Sequence, residues 1–151
     1  MSALAHFLAL EPVLIARLSE CLADMAPKVH VLGAVDLAGV SESSQPTPAV
    51  HVIFQGYRVV ESKADGSCSR VEQTWLATVA TNNKAALRTG SAARADAGVI
   101  AQRVCQALMG FKPVGALSKP LRLVEGPGAG FSSGYQYLPL AFVAELLVSN
   151  S

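Results

Sequence analysis

Two long stretches rich in β-branched residues dominate the pattern of apolar and polar positions. They are "AVHVIFQGYRVVES" (49–62) and "CSRVEQTWLATVAT" (68–81), and both read as strands. On the second, Val71, Trp75, Ala77 and Val79 share one face, while Glu72, Thr74, Thr78 and Ala80 share the other. One side is therefore expected to be buried and the other largely wet. Between the two strands lies "KADGS", whose Asp65-Gly66 is a strong hairpin signal. A third long strand, "YQYLPLAFVAELLV" (135–148), places Leu138, Leu140, Phe142, Leu146 and Val148 on one face. Within it Pro139 cannot donate to a ladder, which predicts an edge position or a bulge.

The period changes twice along the chain. From Glu11, Pro12 suits the first turn of a helix, and Leu14, Leu18, Cys21, Leu22 and Met25 follow at helical spacing, with Arg17, Glu20 and Asp24 on the opposite, solvated face. This helix is expected to run about four turns and to end before Pro27. A second helix is predicted in "AARADAGVIAQRVCQALMGF". There Ala93, Ala97, Ile100, Ala101, Val104 and Leu108 form an apolar stripe opposite Arg94, Gln102, Arg103 and Gln106, and Gly110 and Pro113 supply the stop. "KVHVLGAVDLAGV" (28–40) reads as a glycine-broken strand, and "SESSQPTP" (41–48) as a polar loop, the best candidate for local mobility. A short strand in "SKPLRLVEG" and the glycine-rich "GPGAGFSSG" precede the last long strand. The order predicts an α+β fold, with a mainly antiparallel sheet of long hairpin strands and two helices packed on one face. No internal repeat is visible.

Composition narrows the function classes. A length of 151 residues with 51% hydrophobic content fits one domain spanning 1–151. Only 15% of residues are charged and the formal net charge is +1, with no block of like charge, so neither nucleic acid nor an anionic membrane is an expected partner. Low charge together with a mean hydropathy of +0.37 suggests that some apolar surface faces other subunits. Cys21, Cys68 and Cys105 lie far apart with no CxxC, which indicates neither a zinc site nor a disulfide framework. The N-terminal apolar stretch lacks a basic leader and is interrupted by Glu11-Pro12, so it does not read as a signal peptide. No run reaches the ~18 apolar residues expected of a membrane span.

Candidate chemistry is sparse. There is no GxSxG elbow, and His6, His30 and His51 occupy ordinary segment and strand positions. The 11 carboxylates are thinly spread with no paired motif, and nothing has metal-ligand spacing. "EGPGAG", with Gly126, Gly128 and Gly130, looks like a phosphate cradle, but a strand rather than a helix follows it, so a tight loop is the better account. A nucleic-acid platform would interleave aromatics with Arg or Lys, and Phe54, Tyr57 and Arg58 are the only nearby set, so that reading is set aside.

The ordered segments carry more than any single residue. "LEPVLIARLSECL", a proline-containing loop, the pair "HVIFQGYRV" and "TWLATVATNN", "AARADAGVIAQRVCQALMGFKP" and "GYQYLPLAFVAEL" together resemble the tail terminator proteins of long-tailed phages and Mu-like prophages. The resemblance runs from about Leu10 to Val148, with "TWLATVATNN", "GFKP" and "YLPLAF" as its chief signatures. It implies a virion structural protein, assembled in the host cytoplasm, with no active site and no cofactor. In that role six copies form a ring on the head-proximal end of the tail tube, stop its growth and present the surface that joins tail to head. The implied partners are further copies of the chain, the tail tube protein and a head–tail connector protein. Contacts are expected from loops held by a rigid sheet. Asn82, Asn83, Lys84 and Arg88 follow the long hairpin, and Phe131, Ser132 and Ser133 sit in the last glycine-rich loop; no family site is carried onto them. Alternatives are another head–tail connector or tail completion protein, or, in a different class, a small α+β enzyme or ligand-binding module with a polar cleft.

Overall fold

Alternation over the two central segments produces the strands that organise the molecule. The computed structural model describes residues 5–82, 91–113, 115 and 117–151, with residues 91–95 described by backbone alone. In chain order the elements are α1 (Leu10–Cys21), β1 (His30–Leu32), α2 (Ala34–Leu37), a 3-10 turn (Glu42–Ser44), β2 (Ala49–Ser62), β3 (Cys68–Asn82), α3 (Ser91–Leu108), β4 (Arg122–Val124), β5 (Gly130–Ser132) and β6 (Tyr135–Ser149). The sheet runs β1-β2-β3-β6-β4, and β5 also pairs with β6. Every pairing is antiparallel except the short β1–β2 contact, as the predicted α+β class requires.

Cross-strand rows build the core. Phe54, Trp75 and Phe142 stand side by side, followed by Val52, Ala77 and Leu140, then Val50, Val79 and Leu138. Leu10, Leu14 and Leu18 from α1 and Ala97, Ile100, Val104 and Leu108 from α3 cover this face. Each large apolar side chain removed from water contributes about 1.5–3 kcal/mol, so the two helices are held chiefly by this shared face. Their polar sides do more than meet solvent. Arg17 donates to the Ala107 carbonyl at 2.9 Å and lies 4.7 Å over the Phe111 ring, while Arg103 reaches back to the Cys21 carbonyl at 3.2 Å and to Asp24. The predicted surface charges thus clasp α1 to α3.

The core also holds a polar relay. Trp75 Nε1 donates to Gln73 Oε1 at 3.1 Å, and Gln73 Nε2 donates to the Phe7 carbonyl at 2.7 Å. Phe7 in turn meets Tyr57 edge-on, with ring centroids 5.2 Å apart. The residues ahead of α1 are thereby tied to the hairpin.

Several local expectations change. The first helix ends at Cys21, and Leu22 to Met25 form turns instead; Ala26, directly before Pro27, is disfavoured from resuming the α conformation. The predicted 28–40 strand survives only as β1. After it the Gly33 amide donates to Asp36 at 2.9 Å, and this bond opens α2. Pro139 faces Thr78 in unbroken register, so there is no bulge; on its other side it falls between the residues paired to β5 and those paired to β4, an edge-like gap. The second sheet face is not largely wet: His51, Thr78, Ala80, Ala141, Val143 and Glu145 are all buried. Gly126 is one reason. A Cβ at Gly126 would stand 3.0 Å from the Ala141 Cβ, so this glycine permits close approach of the backbone to the sheet.

Candidate interaction surfaces

At one end of the sheet, β3, β6 and β5 finish together. Asn82 of β3 and Ser132 of β5 are both in register with Tyr135 of β6, one on each side. Ser133 and Gly134 have φ of 51° and 84°, the two consecutive positive values of a type I′ hairpin turn, so the segment expected to be a loop throughout instead forms β5 over Gly130–Ser132 and closes in a tight two-residue turn. Phe131 is 64% exposed beside it. The fold therefore brings Asn82 together with Phe131, Ser132 and Ser133, four of the residues singled out from the sequence. Asn83, Lys84 and Arg88 lie outside the described residues.

The Ser41–Pro48 segment, expected to be mobile, is fastened to this end. Gln45 Nε2 donates to the Tyr137 hydroxyl at 2.8 Å, and that hydroxyl donates to Glu42. Ser132 donates to the same carboxylate at 3.0 Å. Burial raises the Tyr137 pKa first, and the hydrogen bond to Glu42 adds to the shift, so the phenol stays protonated and remains a donor. Beneath this strap His51 is buried with its ring centroid 6.4 Å from that of Tyr137, and burial lowers its pKa. Its Nε2 has no hydrogen-bond partner among the described residues. The strap was missed in the sequence because Glu42 and Tyr137 are far apart along the chain; Tyr135 and Tyr137, spaced by two on one strand face, were the available signal.

At the opposite end, the β2–β3 hairpin carries a charge array. Glu72 and Glu145 are direct cross-strand neighbours, an arrangement that repels unless compensated. Arg58 and Arg122 each donate to Glu72 at 2.7 Å, and these bonds, Arg122 first, hold its pKa below the usual glutamate value. Glu145 is flanked by Arg70 at 3.7 Å and Lys119 at 3.6 Å, and Arg70 also donates to Glu61 at 2.8 Å. The sequence showed scattered acids; the β2–β3 and β3–β6 registers together make them a network. In the turn, Ser67 donates from its amide at 3.0 Å and its hydroxyl at 2.7 Å to Asp65, an Asx-type closure.

Among the described residues no group of three or more His, Cys, Asp or Glu is arranged to hold a metal ion, and no helix is long and apolar enough to cross a membrane. The molecule is thus an α+β sheet protein whose described surfaces offer loops, an apolar tip and charged edges for contact. The chain matches the family described as phage tail terminator protein over residues 4–150, and it belongs to that family. It is a structural component of phage tails. No curated protein matched the chain.

Proposed function

We propose that this chain, acting as a single domain over residues 1–151, forms a six-membered ring on the head-proximal end of the tail tube. There it stops the addition of tube subunits and presents the surface that joins tail to head. Family membership over nearly the whole chain carries this reading. The exposed Phe131 on the hairpin tip, within a surface of low net charge, supports contact with another protein. The sheet end that gathers Asn82, Phe131, Ser132 and Ser133, with Asn83, Lys84 and Arg88 following in the chain, is the surface assigned to the tube protein or the head–tail connector. Assembly takes place in the host cytoplasm, and the role requires no catalytic step. The test is addition of the purified protein to polymerising tube subunits. Growth should stop with tubes capped at one end; unchanged elongation with the protein left in the soluble fraction would overturn the reading.

A further inference from the structure

The sheet narrows toward the hairpin. β1 pairs only with Ala49, Val50 and His51 of β2, and β4 pairs only with Ala141, Phe142 and Val143 of β6. Beyond them the described sheet is three strands wide, with rows such as Val59–Val71–Leu146 and Ser62–Ser69–Val148. Both outer strands are open there among the described residues, apart from one bond from the Ser118 amide to the Glu145 carbonyl.

The two open edges are unlike. Tyr57 and Val59 on β2 are 61% and 51% exposed, and Leu147 on β6 is 65% exposed. A chain of alternating charge crosses the sheet between them: Glu61, Arg70, Glu145, Lys119. It starts at the β2 edge with a carboxylate 67% exposed and finishes outside β6 with an ammonium group 64% exposed. The two exposed ends of the chain thus carry opposite charge.

We propose that copies of this chain join head to tail through these edges, the β2 edge of one copy against the β6 edge of the next, with Glu61 facing the next copy's Lys119. This rests on the ring reading and assigns its subunit contact. A contact between unlike edges is heterologous, the kind that closes into a ring by rotation. Register shifts at Phe54/Gly56 and Val59/Glu61 interrupt the free ladder of β2. Bulges of this kind block indiscriminate strand addition, so side chains set the partner.

The test is a charge swap read by assembly concentration and melting. Glu61→Lys and Lys119→Glu should each melt like the parent yet need at least about tenfold more protein to assemble, because like charges then meet across the contact. An equal mixture of the two variants should assemble at the parent concentration, since every contact in an alternating ring is again between opposite charges. If Lys119→Glu unfolds beside Glu145, Leu147→Asp reads the same edge and should show the same loss. Folded variants that assemble normally, or a mixture of folded variants that fails to recover, would overturn the edge assignment while leaving the ring intact. A parent chain that never self-associates, even on tubes, would overturn the ring reading as well.

Discussion

Gln73→Ala tests the relay that links the N-terminal segment to the core. Gln73 is fully buried, and both ends of its amide are engaged, by Trp75 Nε1 at 3.1 Å and the Phe7 carbonyl at 2.7 Å. Truncation leaves the buried indole N–H without an acceptor, at about 1–3 kcal/mol. The emptied space adds on the order of 1 kcal/mol. A loss of about 2–4 kcal/mol is a large share of the 5–15 kcal/mol that holds a typical domain together. At this chain length it lowers Tm by roughly 5–15 °C. Gln73→Met restores volume without the amide and should recover part of that loss. Calorimetry measures both variants, and limited proteolysis near Phe7 reports whether the N-terminal segment has come loose. A Gln73→Ala protein melting within about 2 °C of the parent, with an equally protected N-terminus, would refute the relay as a stabilising feature.

Trp75→Asp places an unpaired charge among Phe54, Phe142 and the helix layer and should leave no cooperative melting transition; a soluble variant with native melting would count against the assigned strand face. Because the Glu72 pKa is lowered in the fold, its stabilising effect is fully present above the ordinary value of 4.5 and is lost as pH falls through the lowered pKa. Acid titrations of Glu72→Gln and the parent should therefore differ most at neutral pH and converge in acid; parallel curves would contradict this linkage. Phe131→Ser and Lys84→Glu should both melt like the parent while weakening tail assembly, as read by tail length and infectivity. Unchanged values for either variant would remove that position from the proposed contact surface.

The three long strands were legible to within a residue or so because their information is local: a period near two, an Asp-Gly turn and a face that must be buried. The register of the third long strand followed no local rule, yet it decides that Glu72 and Glu145 meet and that Trp75 stands between two phenylalanines. The short elements were the least legible. Where a strand was expected, a hydrogen bond from Gly33 to Asp36 and backbone bonds from Leu37 and Ala38 close a short helix, and the Ser41–Pro48 strap is fixed by tyrosines distant in the chain. Of the residues expected to make contacts, Asn82 and Phe131–Ser133 converge because β3 and β5 flank the same strand. That convergence depends on topology, which residue spacing does not encode.

The proposed function is positional: it puts the protein at one end of the tail tube. Tails assembled with a gold-labelled copy of the chain and imaged by electron microscopy test this most directly. The account predicts label at a single end, the one that meets the head, in a ring of six. Label along the tube, at the distal end, or absent from completed tails would contradict it.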